Sequence, residues 1–300
     1  MKKILLLVSC FAVFAIQLFS QTKNGKDLFH SRNANNKPET DLFRHPSVVN
    51  TINTNSIVYD TVRAIDELND SQAADAYPWL SPDALHLYYL NSTSGNQIMF
   101  SERILSTAPF STPVPFSMPV SVVSIWLSND ELDFYASDGG NLYYGHRSSS
   151  AIPFSTFSTI TLNGITTSFL SGPSLDQSQN ELFLYVVGAQ TEIAQFTRTG
   201  PGAFDLVSII PMPVNYEASP GQLSKDGLSY YMPLKYLGAA SRLYEYKRTS
   251  LSDPFTLTSF NPVEGITDTV TYKTQPTVSD DGAYLVFVSS QTNSWLENGV

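Results

Sequence analysis

Three carboxylates, Asp75, Glu217 and Asp268, each stand shortly before or at the start of a strand-like run. Acid/base hydrolysis of a glycosidic bond needs a facing pair of such groups about 5 to 10 Å apart, so these three are the candidate catalytic residues. A second set, Asp83, Asp130, Asp226 and Asp281, recurs in Ser-x-Asp contexts. A residue rewritten in every copy serves a turn, whereas a catalytic group is needed once. The four histidines, His30, His45, His86 and His146, are scattered and suggest no metal centre; a structural cation would have to use oxygen ligands. Cys10 is the sole cysteine and lies in the N-terminal apolar run, so the rest of the chain has neither disulfide nor thiol nucleophile. No G-x-S-x-G elbow, H-E-x-x-H, Walker loop or dinucleotide fingerprint occurs, and no cofactor is expected.

Aromatics divide in the same way. Tyr88, Tyr89, Tyr135, Tyr143, Tyr144, Tyr230, Tyr231, Tyr244 and Tyr246 recur at matching places and read as packing between repeats. Found in one copy each are Tyr77, Tyr216, Tyr272 and Lys273, ahead of a first strand, and Tyr236, between a second and a third strand. Connections of these two kinds lie at the same end of a strand meander. These five are the candidate binding residues.

The elements that must position them come from a repeat with a period near 48. First strands end at "WLSPD" (79–83), "WLSND" (126–130), "SLDQS" (174–178), "QLSKDG" (222–227) and "TVSDDG" (277–282). A second strand follows each, as in "LHLYYLN" or "YLVFVSS". Third strands close on Arg103, Arg147, Arg198 and Arg248, and six or seven residues later Phe110, Phe154, Phe204 and Phe255 open a fourth. Asp-Gly and its variants supply residues tolerant of positive φ for tight hairpins. Pro78, Pro173, Pro220 and Pro276 precede the turns where a missing N–H costs little. The second and third copies depart from the pattern, the third with Asp176-Gln177-Ser178 where Ser-x-Asp is expected.

This order resembles the TolB-like, WD-type (WD40-like) β-propeller repeat of exported bacterial proteins, over residues 57–300. The resemblance implies an all-β propeller of four-stranded blades, five as counted and six or more in a longer chain. It also implies a non-enzymatic role as a protein-interaction platform in the envelope, some members bearing on peptidoglycan-associated lipoproteins. The alternative is a propeller-type glycoside hydrolase, since arabinanase-like and sialidase enzymes share such architectures.

Composition and the N-terminus complete the expectation. Charged residues are 15% and aromatics 12%, a balance suited to half-buried strands. The formal charge of −10 argues against nucleic acid as a partner. Met1-Lys2-Lys3 and the apolar run to Phe19 read as a signal peptide over residues 1–20. Residues 21–56 read as an irregular leader and 57–300 as the propeller domain. The chain is therefore expected to be exported, periplasmic or at the cell surface, without a transmembrane segment and without a lipid anchor at Cys10, and its partner is expected to be an envelope protein or glycan. Segment 57–68 looks like a spare fourth strand that closes the last unit against residues 284–300.

Overall fold

The computed structural model describes residues 15–21, 59–68, 75–92, 96–118, 120–188, 191–236, 239–257, 262–263 and 273–289, with 15–21 and 59–64 as backbone. These residues are all strand and loop, with no helix among them. After β1 (Ala15–Gln21) and β2 (Tyr59–Ala64) comes unit one, with β3 (Asp75–Leu80), β4 (His86–Asn91), β5 (Gln97–Glu102) and β6 (Val114–Phe116). Unit two holds β7 (Ser124–Leu127), β8 (Asp133–Ser137), β9 (Leu142–His146) and β10 (Phe157–Asn163). Unit three holds β11 (Phe169–Leu175), β12 (Glu181–Val187), β13 (Thr191–Gly200) and β14 (Ala203–Ile209). Unit four splits its first strand into β15 (Tyr216–Ala218) and β16 (Gln222–Leu223), followed by β17 (Ser229–Tyr236), β18 (Arg242–Lys247) and β19 (Thr256–Leu257). Unit five opens with β20 (Lys273–Val278) and β21 (Tyr284–Ser289).

First strands touch in a cycle: β3 meets β7, β7 neighbours β11, β11 meets β16, β16 meets β20, and β20 returns to β3. That cycle is the propeller, with first strands innermost. Hydroxyls of one inner strand hold backbone N–H groups of the next. Thr277 Oγ1 accepts from Leu80 N–H at 3.2 Å, Ser124 Oγ from Gly172 N–H at 2.9 Å, and Ser174 Oγ from Leu223 N–H at 2.8 Å. Each of these donors is buried and would otherwise lack an acceptor. The main core fills the gaps between units with Trp79, Tyr88, Trp126, Phe134, Leu182 and Phe196.

Local chemistry explains why each copy folds alike. In unit one the Ser81 hydroxyl donates to Asp83 Oδ1 at 2.6 Å, Asp83 accepts Leu85 N–H, and Ser81 Oγ accepts His86 N–H at 2.8 Å. The same set recurs at Ser128/Asp130, Ser224/Asp226 and Ser279/Asp281. In unit three the partners exchange places. The Ser178 hydroxyl donates to Asp176, which accepts Glu181 N–H at 2.7 Å, and the hairpin forms all the same. The residue after each Ser-x-Asp, or its exchanged form, has positive φ: Ala84, Glu131, Gln179, Gly227 and Gly282. Its carbonyl, in the first four, takes the Nε–H of the repeat arginine: Arg103 at 2.7 Å, Arg147 and Arg198 at 2.8 Å, Arg248 at 2.7 Å. The same guanidiniums lie 4.5 to 4.7 Å from the ring centres of Phe110, Phe154, Phe204 and Phe255. The arginine thus ties the turn to the fourth strand.

Closure of unit five differs from the expectation in one respect. Segment 59–64 does take the outermost place, but it does not pair with β21. β1 lies between them, pairing Ala15–Ser20 with Tyr284–Ser289 and Gln17–Gln21 with Tyr59–Ala64. The end of the run read as an export signal therefore supplies a third strand here. The run "SWLENGV", read as the third strand from sequence, lies outside the described residues, as does most of the leader.

Two outer edges are joined as well. β10 and β14 pair in parallel through Thr161–Asn163 and Ala203–Asp205, so units two and three form one eight-stranded sheet.

Candidate functional site

Because the strands are antiparallel, the start of a first strand lies beside the end of the second. Unit four shows this directly, with Tyr216 opposite Tyr236 and Glu217 opposite Lys235. The Tyr216 and Tyr236 rings are 5.2 Å apart and tilted, and Tyr244 meets Tyr216 edge-on at 6.2 Å. Tyr236 is 48% exposed and Val214, two residues before Tyr216, is 84% exposed. Lys235 Nζ stands 3.9 Å from Glu217 Oε2 at the surface. Nearby Tyr185 has its phenol pKa raised, by burial first and by the charge of Glu217 second. The result is an amphipathic patch of aromatic faces and one ion pair, suited to stacking and hydrogen bonding with a partner.

The other sequence candidates are distributed differently. Asp75 is fully buried at the start of β3 and accepts from the Asn91 amide at 3.0 Å. Glu217 is exposed on another unit. One carboxylate is enclosed and the other solvated, so they are not alike in accessibility; Asp268 and Tyr272 lie outside the described residues. Lys273, read from sequence as a loop residue, is 3% exposed within β20. Its backbone is fixed by Ser241, whose hydroxyl donates to the Lys273 carbonyl at 2.8 Å.

Tyr77 is likewise inside a strand, where a bulge turns it toward the axis. Its register slips between Ala76 and Trp79, and its φ is 49° immediately before Pro78. That backbone conformation is sparsely populated for a bulky residue. It is held by contacts from two other units: the Tyr77 amide donates to Gln275 Oε1 at 2.9 Å, and its hydroxyl donates to Ser171 Oγ at 3.2 Å. Gln275 occupies the equivalent bulge, also before a proline, with φ 53°. Burial raises the Tyr77 phenol pKa. Tyr77 is thus a brace across the axis rather than a member of the unit-four patch.

Residues passed over in the sequence staple neighbouring units. Glu131 accepts from Tyr88 Oη at 2.8 Å and lies 2.6 Å from His86 Nδ1. Gln179 accepts from Tyr135 Oη and donates to Asp133 Oδ2. Glu181 receives the Arg248 guanidinium at 2.5 Å. Glu131 and Gln179 occupy the positive-φ turn position, and the signal for them was the appearance of a long polar side chain where Gly suffices.

No family model matches the chain, and no curated protein sequence matches it. Solved structures do resemble it. TolB from Acinetobacter baumannii is 18% identical with a TM-score of 0.44, the match covering 79% of this chain and 59% of that one. A periplasmic gluconolactonase of Pseudomonas aeruginosa is 15% identical at a TM-score of 0.41, covering 70% and 62%. The β-propeller domain of Cps50 (Swd1) from Myceliophteria thermophila is 12% identical at 0.39, covering 75% and 73%. The chain spans less than two thirds of the length of the first two.

Proposed function

We propose that the protein is an exported β-propeller that binds an envelope protein or glycan through the unit-four face built from Tyr216, Tyr236 and Val214. The observation carrying this reading is the pairing of two aromatic residues, each found in one repeat only, across β15 and β17, with Tyr216 half-buried and Tyr236 48% exposed. Most repeat-encoded tyrosines are buried, whereas Tyr236 is half-exposed beside the strongly exposed Val214 and offers apolar surface to a partner. Hydrolysis is less well supported, because buried Asp75 and solvated Glu217 stand in unlike environments on different units. Export rests on the N-terminal basic and apolar pattern. Cleavage after residue 20 would remove nearly all of β1 and expose the facing edges of β2 and β21.

The test is binding of the secreted chain to purified envelope glycans and envelope protein fractions, compared with Tyr216→Ala and Tyr236→Ala. A loss of tenfold or more in either variant, with unchanged thermal melting, supports the reading; equal binding by all three chains sinks it. Turnover of a glycan that disappears in Glu217→Gln would replace it with the hydrolase reading.

A further inference from the structure

At the opposite end of the inner strands from the Tyr216–Tyr236 patch, three units converge on one amine. Lys225 sits in the Ser224–Gly227 turn of unit four, yet its Nζ lies 4.9 Å from the ring centre of Trp79, on the inner strand of unit one. Unit five stands between these two units in the cycle of inner strands. Lys225 is 8% exposed and Trp79 is 0% exposed. Neither Lys225 Nζ nor Trp79 Nε1 has a hydrogen-bond partner among the described residues. Gln222, three residues before Lys225, also buries an amide nitrogen without an acceptor.

Buried donors without acceptors are rare and costly, and a buried ammonium without a counter-charge is costlier. The ring face of Trp79 attracts the cation but accepts no N–H bond of ordinary strength. Asp280, in the equivalent turn of unit five, acts on Lys225 through its charge; it is exposed, and its backbone amide is bonded to the Pro82 carbonyl at 3.0 Å. Two buried donors, one of them the cation 4.9 Å from the other's ring centre, thus lack acceptors at this end of the inner strands.

We propose that this end of the inner strands is a binding site for a small carboxylate, whose oxygens take the Lys225 ammonium and the Trp79 indole N–H. A single carboxylate supplies both acceptors and the counter-charge at once, which water does not. The site is independent of the unit-four face, so either stands if the other fails.

The chain has three tryptophans, so its 15N spectrum carries few indole N–H signals, and Trp79→Phe identifies the one at this site. The full chain is titrated with sodium acetate against sodium chloride at constant ionic strength. The expected result is a saturable shift of the Trp79 signal with a Kd in the millimolar range, about 4 kcal/mol of affinity. In Lys225→Met the affinity falls at least tenfold, while Lys225→Arg keeps most of it. A Trp79 signal that does not move with acetate, or moves equally in Lys225→Met, overturns the proposal and leaves Lys225 as a cation stacked on an indole. Should Lys225→Met not fold, acetate must still raise the melting temperature of the unmodified chain above that in chloride; no rise is equally fatal.

Discussion

At the scale of single residues, the repeat arginine is the most informative side chain. Arg248 is 5% exposed and meets the Gly227 and Leu251 carbonyls, the Phe255 ring and Glu181 of the neighbouring unit. Removing one partner of a largely buried, hydrogen-bonded ion pair leaves the other charge uncompensated. Arg248→Met is therefore expected to cost about 3 kcal/mol in urea denaturation, and adding Glu181→Leu to recover some of the loss. Gly227 tests the turn itself. It has φ +73°, and a Cβ there would come 2.8 Å from Leu251 Cδ2, so Gly227→Ala should destabilise by about 1 to 2 kcal/mol. Both residues were legible in the sequence, because their roles recur at fixed spacing and each repeat solves the same local problem.

At the scale of elements, stability lies in the junctions between units. Thr277→Val keeps the shape of the side chain but strips the acceptor from buried Leu80 N–H. It should cost about 1 to 2 kcal/mol, while Thr277→Ser stays near the unmodified chain. The junction between units one and two carries a titrating group. The His86 pKa is raised, first by its hydrogen bond to Glu131, against the opposing effect of burial. A raised histidine contributes stability fully below its unfolded value near 6.5 and loses it as pH climbs through the higher folded value. Melting temperature should decline from pH 6 toward pH 8, and His86→Gln should flatten that slope. These junction residues were not legible, since Glu131 and Gln179 look like ordinary turn substitutions until ring closure brings the next unit beside them. The same limit applies to Tyr77 and Lys273, which read as loop residues. Strand bulging and burial depend on neighbours 32 to 198 positions away, outside any local pattern.

At the scale of the whole molecule, Lys225 links three units and reports on the assembled ring. Burial lowers its pKa to about 8, with Asp280 partly opposing the shift. Since the folded value lies below the unfolded value of 10.5, the folded chain bears a penalty below pH 8, at most roughly 3 kcal/mol, that is relieved as pH rises toward 10.5. In anion-poor buffer, stability should rise between pH 8 and about 10, and Lys225→Met should abolish the rise. Above that range buried Tyr246, with a pKa raised by burial to about 12, reverses the trend because the unfolded chain ionises first.

The parallel join between β10 and β14 has a mechanical consequence. Elsewhere among the described residues, neighbouring units meet through side chains and isolated hydrogen-bonded points such as Ser241 with Lys273, which a pulling force can break in succession. Units two and three share a backbone ladder at their rims, loaded across several bonds together. Stretched from its two ends, the ring should tear at other seams first, and the stretch from Ser124 to Ile209 should then give way in one event releasing roughly 300 Å of chain.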